Sequence, residues 1–210
     1  GDIPSTFESF KMQIVCGLQM AMAGIPWWAT DIGGFHDGDI RDPKFQELLI
    51  RWFQYGAFCP VMRLHGHRSP YKAPLGKTGG GRGASGAENE IWSYGEENYE
   101  IMKKYIELRE ELRPYTRRLM KEASETGAPV MRPLFYQFPE DEKAWEIKDQ
   151  FLFGDQYLVA PVTEYGQRKR EVYLPAGASW TEQSTGKTYE GGRTVTADAP
   201  LDVIPVFVKQ

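Results

Sequence analysis

The 210-residue sequence predicts an α/β fold, the C-terminal portion of a (β/α)8 TIM barrel over residues 1–127, followed by a small antiparallel β-sandwich domain over residues 128–210. Three observations carry this. Apolar residues recur at helical spacing in three stretches before Gly127. A short apolar run follows each of the first two stretches and ends in a loop with polar residues. Beyond Gly127 the texture changes to short β-rich runs broken by Pro and Gly.

The first helix begins at Ser5, where Ser5 and Glu8 form the S-x-x-E capping pattern and Phe7, Phe10, Ile14 and Leu18 follow at helical spacing. The second begins at Asp42-Pro43, an N-cap ahead of the position that tolerates proline. Its apolar face is Phe45, Leu48, Leu49, Trp52 and Phe53, and it ends at Gly56. The third starts near Glu96 and runs toward Gly127, with Ile101, Tyr105, Leu108 and Leu112 on one stripe and Pro114 kinking or dividing it. Between these helices, GIPWWATDIGGF (Gly24–Phe35) and GAFCPVMRLHG (Gly56–Gly66) read as buried strands ending in loops. In an α/β barrel the chemistry sits at the carboxyl ends of such strands, where Asp31 and His65 fall. After Gly127 the β-like runs are PVMRPLFYQF, QFLFG, YLVAPV, REVYLP, TYEGG, RTVTA and IPVFVKQ, and there is no internal repeat.

Composition narrows the function classes. Hydrophobic residues at 41% and charged residues at 26% are ordinary for a globular chain, and a net charge of −4 gives no broad attraction to phosphate, so nucleic acid is not expected. Aromatic residues reach 13%; their faces stack on sugar rings, but they also fill cores. The two cysteines, Cys16 and Cys59, each lie in an apolar run and read as buried reduced thiols, which fits a cytoplasmic location. No apolar run approaches the length of a membrane span, so no membrane partner is expected. The chain opens on Gly1 and reads as a cut piece, any targeting signal being lost with the missing part.

The polar loop from His67 to Glu90 contains a formal G-x-G-x-x-G, Gly81 to Gly86, but no βαβ strand feeds it, and Gly76-Lys77-Thr78 lacks the first glycine of a P-loop. Neither supports nucleotide binding; the loop covers the mouth of a site or is simply mobile. The three histidines lack metal-ligand spacing, the two cysteines are far apart and no G-x-S-x-G elbow is present. No metal and no cofactor is therefore expected.

The remaining candidates are polar residues at strand ends. Asp2 precedes a helix start, where a carboxylate is favoured with or without a catalytic role. Asp31 follows the apolar IPWWAT and precedes Gly33-Gly34; it is either a turn aspartate or a charge held at the mouth of a cleft. Arg63 and His65 alternate with Met62 and Leu64 and so share one face, as a pair able to bind hydroxyl groups. Trp27 and Trp28 point to opposite sides of an extended segment, so one lines the pocket while the other packs against helices.

These segments resemble glycoside hydrolase family 31. GDIPSTFESFKMQIVCGLQMAMAGIPWWATDIGGF is similar to the family's stretch from the acid/base "GD" to the "DIGGF" signature, and RWFQYGAFCPVMRLHG to its next strand. LRPYTRRLMKEASETGAPVMRPLF resembles the exit from the barrel, and QFLFGDQYLVAPV with REVYLPAGASW the β domain beyond it. The resemblance covers essentially the whole chain in order. It implies that Asp2 is the general acid/base, that Asp31, Arg63 and His65 bind hydroxyls of the sugar being cleaved, and that Phe35 walls the pocket. Of the two tryptophans, Trp28 is the one expected among the substrate contacts. The family's nucleophile is an aspartate on an earlier strand, which nothing here matches.

The function so implied is a retaining exo-α-glycosidase that releases terminal α-linked glucose by double displacement. The alternatives are an α-xylosidase of the same family or, in another class, a non-catalytic carbohydrate-binding or structural fragment. Substrate carbohydrate and the missing N-terminal half of the same enzyme are the expected partners, and self-association into a homo-oligomer stays open. Alone, the chain is expected to be catalytically inert and poorly folded.

Overall fold

The computed structural model describes residues 2–73 and 86–210. Gly76-Lys77-Thr78 and all of the glycine-rich match except Gly86 lie outside the described residues.

Helix α1, Phe7–Met22, is capped by Thr6 and not by Ser5, one residue later than the capping pattern predicts. Thr6 Oγ1 accepts from Ser9 N at 3.0 Å. Ser5 belongs to the preceding extended segment, its N–H donating to His36 O at 2.8 Å. Helix α2, Pro43–Gly56, starts as expected, Asp42 Oδ1 accepting from Lys44 N at 2.9 Å. The third region divides at Pro114 into α3, Glu96–Glu111, and α4, Arg113–Thr126, and Gly127 closes α4 in the left-handed conformation.

Three extended segments run side by side. Val61 N donates to Trp28 O and Ile32 N to Arg63 O, each at 3.1 Å, while Phe35 N donates to Ile3 O at 2.8 Å. Among the described residues, regular pairing between these segments is confined to the short parallel strands β1, Gly38–Asp39, and β2, Arg68–Ser69. The expected strands within Gly24–Phe35 and Gly56–Gly66 are thus extended without a continuous ladder. The register slips between the Ile32–Arg63 bond and the Gly38–Arg68 pair, which interrupts it. Nor are they buried throughout. Trp28, Thr30 and Ile32 face the helices, Trp52 Nε1 donating to Thr30 Oγ1 at 2.6 Å, whereas Trp27 is 65% exposed.

The core does not stop at Gly127. Phe10 stacks on Trp52 (4.9 Å between centroids), and Tyr55 meets Phe151 edge-on at 5.7 Å. Phe58 meets Phe153 in the same way at 6.0 Å, so helices and β unit share one apolar cluster.

The β unit has a six-stranded sheet in the order β3-β4-β5-β10-β7-β8: β3 (Met131–Arg132), β4 (Phe151–Phe153), β5 (Tyr157–Val159), β7 (Ser179–Glu182), β8 (Thr188–Glu190) and β10 (Val206–Lys209). A separate antiparallel pair joins β6 (Lys169–Leu174) to β9 (Arg193–Asp198). A second core lies between the two sheets, with Leu152, Leu158 and Trp180 from one and Val172 and Leu174 from the other. Two elements differ from expectation. The run after Pro133 forms a helical turn, α5 (Leu134–Gln137), and β7 follows a turn with Gly177 at φ 91°, where the sequence predicts no strand.

A buried cation joins the two parts. Arg51 of α2 is fully buried and donates to the carbonyls of Pro200, Val203, Gln167 and Ala199 at 2.9–3.1 Å. Burial pushes its guanidinium down to about 10, so it stays charged at neutral pH. Both cysteines are free; Cys59 is buried, but Cys16 is only half-buried. No described helix is long and apolar enough to cross a membrane.

Candidate functional site

The carboxyl ends of the three parallel segments converge, and most of the candidate residues stand there. Asp31 is 7% exposed at the end of its segment, and Arg63 Nη1 lies 3.4 Å from Asp31 Oδ1. The neighbouring backbone bond from Ile32 N to Arg63 O sets the two residues side by side. The His65 ring lies 5.4 Å from that of Phe35. Asp2 is exposed on the adjoining segment, whose Ile3 carbonyl accepts from both Phe35 N and His36 N at 2.8 and 3.1 Å. The fold therefore gathers Asp31, Arg63, Phe35 and His65 and runs the Asp2 segment alongside them.

Trp28 is placed elsewhere. Its Nε1 donates to Tyr55 Oη at 3.0 Å, and a Cβ added at Gly17 would stand 2.7 Å from that same nitrogen. The indole is thus wedged between α1 and α2. Strand alternation puts Trp28 on the helix side with Thr30 and Ile32, and Trp27 on the side of Asp31. Of the two tryptophans, Trp28 is the one packed between the helices, and the fold does not bring its indole to the Asp31 cluster.

The loop after Asp31 depends on a residue that sequence reasoning did not single out. Arg68 is fully buried; Nη1 donates to Gly34 O and Nη2 to Ile32 O, both at 2.9 Å, and Nη2 also reaches His65 O at 3.4 Å. Nε donates to Asn89 Oδ1 at 3.1 Å, and the guanidinium lies 5.0 Å from the Phe45 ring centroid. Burial lowers its pKa below the ordinary guanidinium value, with the Tyr94 hydroxyl and Asp31 acting against that. One cation thus ties the Asp31 loop, the His65 backbone and Asn89 together. Gly34 completes the approach. It has φ +76°, and a Cβ there would meet Pro4 O at 2.7 Å, so a larger residue would push the Asp2 segment away.

Such a cluster can bind a polyhydroxylated ligand: a carboxylate accepts, a guanidinium and an imidazole donate, and an aromatic ring packs. Among the described residues, no group of three or more His, Cys, Asp or Glu is placed to hold a metal ion.

Residues 1–119 match the family described as "Glycosyl hydrolases family 31 TIM-barrel domain", and residues 127–210 match "Glycosyl hydrolase family 31 C-terminal domain". Among solved structures, a GH31 α-xylosidase from a soil metagenome, complexed with xylose, is 58% identical with a TM-score of 0.96, covering 100% of this chain and 31% of that one. An α-xylosidase of Saccharolobus solfataricus is 35% identical over 209 residues, 100% of this chain and 26% of that protein. The α-glucosidase 2 of Bacillus thermoamyloliquefaciens is 36% identical over 211 residues, 100% of this chain and 24% of that protein. The chain thus spans 24–31% of the length of these relatives.

Proposed function

The chain belongs to glycosyl hydrolase family 31, and from that premise we propose that it is the C-terminal part of a longer retaining exo-α-glycosidase acting on terminal α-linked xylose or glucose. The observation that carries this reading is the convergence of Asp31, Arg63, His65 and Phe35 beside the Asp2 segment.

In this reading the three parallel segments are the last strands of a barrel and the two packed sheets form a sandwich behind it. The inner face supports that arrangement: Ile25, Trp27 and Val61 are 42%, 65% and 40% exposed there, an apolar surface suited to burial by the preceding strands. Those strands carry the nucleophile, a carboxylate that attacks the anomeric carbon as the glycosidic bond breaks. Asp2 gives its proton to the departing oxygen, then takes a proton from the water that releases the sugar from the nucleophile. Asp31 accepts from sugar hydroxyls while Arg63 and His65 donate to them, and these bonds accelerate the reaction to the extent that they tighten in the oxocarbenium-like state.

The choice of sugar is the finer question. Glucose is the commoner expectation from sequence, but the 58% identity to an α-xylosidase over the whole chain favours xylose. Matched aryl α-xyloside and α-glucoside, assayed with the longer enzyme, test it. A higher kcat/KM on the xyloside supports the xylosidase reading, preference for the glucoside supports the glucosidase reading, and cleavage of neither removes both.

A further inference from the structure

A second, open groove borders the site at His65. It has a volume of about 370 Å³ and is lined by Leu64, His65, Gly66, Asn89 and Glu90. That volume lies within the range of small-molecule sites. A sugar held by Asp31, Arg63 and His65 would thus have this space next to it through the shared His65, with room for a neighbouring unit.

The two walls are held in fixed relation. Arg68 donates to His65 O on one side and to Asn89 Oδ1 on the other. Tyr94 Oη also donates to Asn89 Oδ1, at 2.6 Å, so the amide oxygen takes two donors and its orientation follows. The Asn89 amide nitrogen makes no hydrogen bond among the described residues and remains a donor. Glu90 is exposed, and Asn89 N donates to its Oε2 at 3.1 Å. Its Oε1 has no partner among the described residues. The cleft is therefore lined by a carboxylate acceptor and an amide donor, the complement of vicinal hydroxyls. Its negative charge disfavours a phosphorylated or carboxylated ligand.

We propose that Glu90 and Asn89 bind the aglycone sugar, the uncharged second unit of an α-linked disaccharide, with Glu90 accepting from its hydroxyls and Asn89 donating to one of them. The proposal rests on the glycosidase reading above.

The test uses the longer enzyme, unsubstituted and as Glu90→Ala, on two substrates with the same glycosyl unit. One is an α-linked disaccharide and the other the α-glycosyl fluoride, whose leaving group carries no hydroxyls. Loss of a charge-assisted bond to the aglycone lowers kcat/KM on the disaccharide by about tenfold or more and leaves the fluoride unchanged. Asn89→Ala follows the same direction but also releases Arg68, so its fluoride rate falls as well. Equal change of Glu90→Ala on both substrates, or change on neither, overturns the proposal. Failure of the unsubstituted enzyme on both overturns the glycosidase reading, and this proposal with it.

Discussion

At the residue scale, Asp141 shows how a single carboxylate is committed to the fold. It accepts from Tyr173 Oη at 2.7 and 2.9 Å, from Ala176 N at 2.8 Å and from Lys143 N at 3.1 Å. Burial works to raise its pKa, but these donors outweigh it and hold the carboxyl below its ordinary 3.8. Across the same contact, burial and the Asp141 charge push Tyr173 up to about 12. A carboxyl whose folded value is depressed contributes stability that is present above its unfolded value and is lost as pH falls through the folded one. Asp141→Asn should therefore lower the melting temperature at pH 7, and the gap from the parent should close as pH is taken below the usual carboxylate range. Thermal melts at pH 7 and pH 3 check this; a gap that is the same at both would show that the charge contributes nothing. Arg68 belongs at this scale too, and its role was not legible in the sequence. An arginine in a run such as HGHRSP reads as solvated, and only the fold shows three site carbonyls converging on it.

At the scale of elements, the helices were the most legible part. Asp42-Pro43 fixed the start of α2, Pro114 the break between α3 and α4, and Gly127 the end of α4. The start of α1 was misread by one residue because Ser5 and Thr6 both carry a capping hydroxyl. The backbone bond of Ser5 to His36, distant in sequence, decides between them. The segments holding the site were legible as extended, and the alternation of Met62 and Leu64 with Arg63 and His65 placed the polar pair on one face. Which of Trp27 and Trp28 faces the helices was not, because it depends on the space above Gly17. This gives a prediction: Trp28→Ala should destabilise the fold by about 3 kcal/mol, the usual range for a large aromatic deleted from packed surroundings. In the longer enzyme, the variant that folds should keep the parent's KM. A melting curve together with KM reads both, and a raised KM at unchanged stability would return Trp28 to the substrate pocket.

At the scale of the whole molecule, the helices and the β unit are joined through a continuous core and through Arg51. The change of texture at Gly127 was visible in the sequence; the joint was not, since an arginine between Ile50 and Trp52 gives no sign of the four carbonyls it meets. Arg51→Met leaves those buried acceptors without their donor and should destabilise the protein by about 3–5 kcal/mol, as seen when one partner of a buried polar contact is removed. Denaturant melts of parent and variant measure it, and a loss under about 1 kcal/mol, the value of an ordinary exposed pair, would show that apolar contacts alone hold the joint.

Asp2 as the acid/base of a longer enzyme is tested most directly by Asp2→Ala in that enzyme. Measured on whichever aryl α-glycoside the parent cleaves, kcat should fall at least about a hundredfold, the scale of losing a positioned proton donor, while the melting temperature stays close to that of the parent. A variant as fast as the parent would leave Asp2 as an exposed carboxylate ahead of α1 and contradict its role as the acid/base.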